Sequence, residues 1–456
     1  MIAFSIDIGN KIVAKGEIQR SVDAAAMAGA GMLVEGSANA QASVVEYLAR
    51  NPAGTMTAVD QSQMETAIAE FLANHQDDVE IKVGHWDADA QQVIETDVRP
   101  STVSVAFELA DQPFFFAKLF GQDSFTVRAE AIASYQPRDI VLVLDLSGSM
   151  SYDSQFYHAS RLGQTAIEDN LEQIYEELGS PTFGNMQFAP VYYSTTKTSK
   201  IKNYLGLNGV PYPYNSGSWN DYINYVKSSS TLNSVGYKKK YGYLTFMNYL
   251  LERRGSHSQT PELANVSAQP MQSVKDAVET FFSYMEEVDT DDRVGLSVYN
   301  ASNGNGALES SLTNDYDLIR SLTHGFQAGH YHTYTNIGAG MTTARLELNT
   351  NARDGAYQMI VLLTDGNANW VNGSYNQYAA RQYVLDEAAL AAEAGYPIMT
   401  ISLGADADQT LMQQVADITG GEHFNIPGGQ AVSSYASGLK DAFEDIAKDR
   451  PLKLVK

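Results

Sequence analysis

The chain has 456 residues, 44% of them hydrophobic, a formal charge of −24 and no cysteine. That length exceeds what one hydrophobic core normally holds, so two domains, or one domain with a large insertion, are expected. The negative charge argues against nucleic acid and an anionic membrane surface as partners, and the missing cysteines exclude disulfides, thiolate catalysis and cysteine zinc sites.

Residues 1 to about 33 are expected to form one long helix. Ile8, Ile12, Ile18, Val22, Ala25, Ala26, Gly29, Met32 and Leu33 recur mostly at three- and four-residue steps, with Lys11, Lys15, Glu17 and Arg20 between them. The small-residue tract Ala24 to Ala30 would let another helix or a sheet approach closely. Asp7-Ile8-Gly9-Asn10 followed by Asp23-Ala24-Ala25-Ala26-Met27-Ala28-Gly29-Ala30 resembles the N-terminal segment of TadG-like proteins of tight-adherence pilus systems. In that family a membrane helix precedes these motifs. Almost nothing precedes Asp7 here, so the resemblance implies either that processing removed the membrane segment or that this sequence starts inside it. No stretch approaches the roughly 20 apolar residues that span a bilayer.

From Gln41 to Tyr135 the pattern changes to two short helices, Ser43 to Arg50 and Gln61 to Ala73, and then to strands. These are Val79 to Trp86, Gln92 to Val98, Thr102 to Leu109 and Ser124 to Tyr135, with the aromatic run Pro113 to Phe120 read as a buried helical turn. A long helix followed by an antiparallel sheet has the layout of a pilin-like α+β domain, assigned to residues 1–136. Gln136-Pro137-Arg138 marks the boundary, because proline ends one strand and lets the next begin elsewhere.

The second domain, residues 137–450, opens with Asp139 to Leu144, a run of branched apolar residues that reads as a buried central strand. It ends in Asp145-Leu146-Ser147-Gly148-Ser149, whose carboxylate and hydroxyls sit at alternate positions around a glycine and suit a hard divalent cation. Met359 to Leu363 repeats the pattern and ends in Thr364-Asp365-Gly366. Between them Tyr334-Thr335-Asn336 offers a further hydroxyl ahead of an amphipathic helix. Three pieces in this order resemble the metal-ion-dependent adhesion site of von Willebrand factor type A domains. The resemblance implies a doubly wound α/β sheet and a Mg2+, Ca2+ or Mn2+ site in which Asp145, Ser147, Ser149, Thr335 and Asp365 are ligands, directly or through water. Two aspartates roughly cancel the charge of such an ion and leave one coordination position for an acidic side chain of a protein partner.

The first helix after the metal loop is expected only at Pro270 to Phe282, so residues of about 153–268 form an insertion. Tyr192, Tyr193, Tyr204, Tyr212, Tyr214, Tyr222, Tyr225, Tyr237, Tyr241, Tyr243 and Tyr249 fall within it. Such tyrosines suit a binding surface and a private core under long loops equally well. Lys238 to Lys240 reads as a solvated face. The remaining elements alternate as an α/β sheet requires: strands at 293–299, 308–312, 357–364, 397–404 and 423–426, and helices at 315–322, 336–348, 375–394, 409–419 and 431–448. Residues 451–456 are too few to assign.

Phosphate-cradle, zinc-protease and nucleophile-elbow motifs are all missing. His330-Tyr331-His332 has no carboxylate at a convincing metal-ligand spacing and reads as a polar rim. The expectation is therefore a non-enzymatic bacterial surface or pilus-associated adhesion protein, extracellular and without disulfides. A filament subunit assembled through the N-terminal helix is the alternative, and a metal-assisted hydrolase comes third.

Overall fold

The computed structural model describes residues 2–56, 63–87, 90–98, 100–253, 260–288, 290–300, 306–428 and 431–456. Two compact units emerge. One comprises Met1–Pro137 with Tyr284–Asp291 and Lys448–Lys456, and the other comprises Arg138–Ser283 with Asp292–Ala447.

The first unit packs the helix Ile2–Gly31 on a five-stranded antiparallel sheet. In spatial order its strands are Leu452–Leu454, Ser124–Tyr135, Thr102–Pro113, Val79–Asp87 and Gln92–Glu95. The C-terminal segment, too short to assign from sequence, thus supplies an edge strand, with Leu452 opposite Tyr135 and Leu454 opposite Ala133. Ala14, Ile18, Val22, Ala25, Ala26 and Ala30 of the helix enter a core with Val44, Val103, Val105 and Ala131. The small-residue tract serves this close approach: a methyl on Gly29 would lie 2.5 Å from Val44 Cγ2 and 3.2 Å from the Ala40 carbonyl oxygen.

Two sequence expectations fail at the start of this helix. Ile8 and Ile12 share the helical spacing of the buried Ile18 and Val22, yet they are 59% and 66% exposed. The residues from Pro113 to Phe120 were read as a buried turn, yet Phe115, Leu119 and Phe120 are exposed around the 3-10 turn Ala117–Phe120. The physical reason is that the two segments meet through polar groups. The Asp7 carboxylate, 2% exposed, accepts hydrogen bonds from the backbone N–H groups of Phe115, Phe116 and Ala117 at 2.7–3.2 Å. Asn10 Nδ2 donates to the Pro113 carbonyl at 3.3 Å. Three donors at a turn's start need an acceptor once they leave water, and Asp7 supplies it.

The second unit is built on a six-stranded sheet ordered His423–Ile426, Ile398–Leu403, Tyr357–Thr364, Arg138–Asp145, Arg293–Tyr299 and Ala307–Thr313. The first five are parallel, and every residue of the central Arg138–Asp145 strand is buried. The last strand is antiparallel to its neighbour, so the sheet is mixed. Only seven residues separate Tyr299 from Ala307, too few for the crossover a parallel pair needs. Val141, Val143, Ile360 and Leu362 meet Ile337, Met341 and Val384 in one core. The helices Met271–Val288 and Val432–Lys448 meet through Phe281 and Phe443, ring centroids 5.9 Å apart.

At the base of the sheet, buried charge is fully paired. Arg138 donates to Asp292 through Nε and Nη2, at 3.1 and 2.9 Å, and Asp139 accepts from Arg293 and Arg353. Burial opposes ionisation of Asp139, but the two arginines outweigh it and hold the carboxyl below its usual range.

Between Asp145 and Met271 the chain builds a subdomain with its own core. The helices Gln164–Glu177, Trp219–Ser228 and Tyr243–Arg253 bury Ile167, Leu171, Trp219, Tyr222, Phe246 and Tyr249 together. Tyr222, Tyr237, Tyr241, Tyr243 and Tyr249 are at most 2% exposed, so most of the ring surface here is core, while Tyr192 and Tyr204 remain open. The two ends of the subdomain are tied together: Asp153 N donates to the Gln269 carbonyl at 3.1 Å, and Gln269 N donates to Ser154 Oγ at 2.9 Å.

Candidate metal centre

Parallel strands present their C-terminal ends at one sheet edge, and the second unit gathers its oxygen donors there. Asp145 closes the central strand fully buried. Its Oδ1 accepts from Ser147 N at 2.7 Å and its Oδ2 from Thr364 Oγ1 at 3.0 Å. The neighbouring strand runs in register, Leu362 opposite Val143, which brings Asp365 to the same edge. Ser147 Oγ lies 2.8 Å from Ser149 Oγ, and Ser149 Oγ donates to Asp365 Oδ1 at 2.5 Å. Thr335 is held by its backbone: its N–H donates to Asn369 Oδ1 at 2.9 Å, and its carbonyl accepts from Asn369 N and Trp370 N. A methyl on Gly366 would meet Ser149 Oγ at 3.6 Å and Thr335 Oγ1 at 3.9 Å. All five residues singled out from sequence therefore come together.

The electrostatics of this cluster would suit either bound protons or a cation. Asp365 Oδ2 is buried and accepts no hydrogen bond from any described residue. Burial pushes both carboxyls up, and the charge of Asp145 drives Asp365 well above the usual carboxylate range. Two carboxylates in a dry place either hold protons or share a positive ion. Among the described residues no three His, Asp or Glu side chains converge as a ligand group, so the donor set is two carboxylates with hydroxyls. That all-oxygen set fits a hard divalent ion and not a softer transition metal.

Several residues around the cluster carry no sequence signal. Tyr299, fully buried, donates to the Leu363 carbonyl at 2.8 Å, and burial with the Asp145 charge pushes its phenol far up. Arg161 Nε lies 3.1 Å from Asp153 Oδ1 and its Nη1 3.6 Å from Asp406 Oδ2, an ionic cluster whose positive member eases the charge on Asp365. Arg161 belongs to the insertion, where no pattern marks it. The histidines before Thr335 do not form a ligand group. His330 packs edge-on against Phe326 and Tyr331, while His332 leans on Tyr334 and Trp370.

No curated protein matches the chain at a significant level. Solved structures similar to parts of it include an aerotolerance-related membrane protein from Bacteroides fragilis. That match has 15% identity and a TM-score of 0.30, covering 39% of this chain and 90% of that one. The pilus adhesin SpaC from Lactobacillus rhamnosus aligns at 14% identity and a TM-score of 0.32, over 81% of this chain and 34% of its own. The PilB minor pilin from Streptococcus sanguinis aligns at 10% identity and a TM-score of 0.33, over 82% and 78%. Two family models match. Residues 24–133 fit the one described as putative Tad-like Flp pilus-assembly, and residues 264–433 fit the von Willebrand factor type A domain. The second match begins within the last residues of the insertion, so it contains Thr335 and Asp365 but not Asp145, Ser147 or Ser149. The chain thus combines a Tad-like Flp pilus-assembly domain with a von Willebrand factor type A domain, as a TadG-like protein does.

Proposed function

We propose that the protein is a pilus-associated, cell-surface adhesion protein that binds an acidic side chain of a partner through a divalent ion. The observation that carries this reading is the buried Asp365 Oδ2, without a hydrogen-bond partner among the described residues, at a sheet edge that also gathers Asp145 and the hydroxyls of Ser147, Ser149 and Thr335. These five residues would hold the ion, Mg2+ or else Ca2+ or Mn2+. When bound, it would offer an electrophilic position to a carboxylate. The hydroxyl donors add no formal charge, so the two aspartates alone neutralise it. The surrounding charge of −24 disfavours acidic partners everywhere except at that point.

Calorimetric titration of Mg2+, Ca2+ and Mn2+ into chelator-treated protein tests the proposal. Saturable binding is expected, with a stabilisation of about 2.7 kcal/mol at a hundredfold excess over Kd. Asp145→Ala should abolish the metal-dependent rise in Tm, and Ser147→Ala should weaken it. No saturable binding of any of the three ions would remove the basis for this reading.

A structural role in a filament is the second reading, supported by a different feature. Ile6, Ile8, Ile12 and Val13 are 46–66% exposed on the N-terminal helix, near Phe115, Leu119 and Phe120. Contiguous exposed apolar surface of this kind marks a contact site. Electron microscopy of purified protein separates the readings, since long regular polymers belong to a filament subunit.

A further inference from the structure

A recess of about 300 Å³ opens beside the Ser147–Ser149 loop, lined by Gly148, Tyr152 and Thr333 and, from the insertion, by Tyr157, His158 and Glu252. Gly148 sits between Ser147 and Ser149, and its N–H donates to the Thr333 carbonyl at 3.1 Å. The recess therefore adjoins the proposed ion.

Its walls are aromatic. Tyr152 stacks on His158 with ring centroids 3.6 Å apart and planes 12° apart, and Tyr157 lies 4.5 Å from the same imidazole. Burial and the nearby Arg161 lower the His158 pKa to about 4, so this ring adds no positive charge at neutral pH. Glu252, in the last turn of the helix Tyr243–Arg253, accepts from Asn248 Nδ2 at 2.6 Å and from the Tyr225 hydroxyl. No cation among the described residues pairs with it, and burial raises its carboxyl. A largely buried acid whose described partners are neutral is costly when charged and favourable when a cation enters, because the same low dielectric that penalises the lone charge strengthens the pair.

We propose that this recess takes a lysine or arginine side chain of the partner, so that the recognised element pairs an acid for the metal with a base for Glu252. The inference rests on the metal-dependent reading above and adds the chemical class of the ligand. The insertion then sets specificity, since Glu252, Tyr157 and His158 belong to it. A guanidinium fits best, being planar, weakly hydrated and able to stack on tyrosine while pairing with a carboxylate.

The test uses capped peptides in which aspartate and arginine are separated by zero to three glycines, in both orders, and counterparts with glutamine in place of arginine. Binding to the full chain is measured in Mg2+ and in chelator. At least one arginine peptide should bind wild type tenfold or more tightly than its glutamine counterpart in Mg2+. Glu252→Gln should erase that advantage without changing calorimetric Mg2+ affinity, and Tyr157→Ala, at an exposed position, should reduce it severalfold. Equal binding of the two peptide sets, no binding of either, or an arginine advantage that survives Glu252→Gln overturns the proposal. An advantage that needs Glu252 but persists in chelator keeps the cation recess and removes the metal reading, so the two failures are distinguishable.

Discussion

Asp145 and Asp365 differ in how their oxygens are used, and that difference would set their response to pH and to the proposed metal. Asp145 accepts from Ser147 and Thr364, whereas Asp365 accepts only from Ser149 and leaves Oδ2 with no described partner. Both carboxyls sit above their usual pKa, so in metal-free protein the folded form holds more protons than the unfolded form. Stability from this pair is then fully present below the ordinary carboxylate pKa and is lost as pH rises through the folded-state values. Metal reverses the sign by favouring ionised ligands, so affinity should climb with pH until both carboxyls are ionised. Calorimetry of Mg2+ binding between pH 5 and 8 checks this, with proton release expected at the acid end. Asp365→Asn should remove the repulsion and raise the Tm of chelated protein by roughly 2–4 °C per kcal/mol relieved. The same variant should lose the metal response. A Tm in chelator below that of wild type would contradict the account.

Among the elements, the N-terminal helix changes character along its length. Its second half is clamped at Ala25, Ala26 and Ala30 inside the first unit, while its first half is held by Asp7 and Asn10 and leaves isoleucines exposed. Ala26→Leu should overpack that seam and cost about 1 to 3 kcal/mol in chemical denaturation. Unchanged stability would show that the helix can shift away from the sheet. The insertion is self-contained in another sense, since Asp153 and Ser154 at its start bond Gln269 at its end. Replacing residues 155–267 by a short linker should leave Mg2+ binding in place and not weaken it, because the main electrostatic loss near Asp365 is then Arg161, a positive charge that competes with a bound cation. The arginine-peptide advantage should vanish in the same protein. Loss of all metal binding in a folded deletion variant would mean that the subdomain builds the metal loop and does not merely adjoin it.

At the scale of the whole molecule, the first unit draws on three separate parts of the chain, and its sheet is completed by the last residues. Leu452 packs against that unit's core, and Lys456 Nζ lies 2.9 Å from Glu130 Oε2. Truncation after Asp449 should expose the edge of Ser124–Tyr135 and destabilise the unit by on the order of 2 kcal/mol. Faster amide exchange at Ala131 to Tyr135 is the expected signature, and unaltered exchange there would refute it.

The parallel strands and the polar loops that end them were legible in the sequence because each carries a local pattern. Branched apolar runs ending in Asp145 and Asp365, with a Thr335 loop between them, survive any uncertainty about what packs where. The long helix and the alternating strands of the first unit were legible for the same reason. Decisions that depend on distant partners were not. Ile8 and Ile12 share the periodicity of Ile18 and Val22, and only the position of the sheet decides which pair is buried. The tyrosines of the insertion fitted a surface or a core until Trp219 and Phe246 closed around them. Glu252 is one acid among 54 acidic residues in the sequence. Folding places it in the lining of the same recess as Gly148, about a hundred residues earlier in the chain, a proximity that no local pattern encodes.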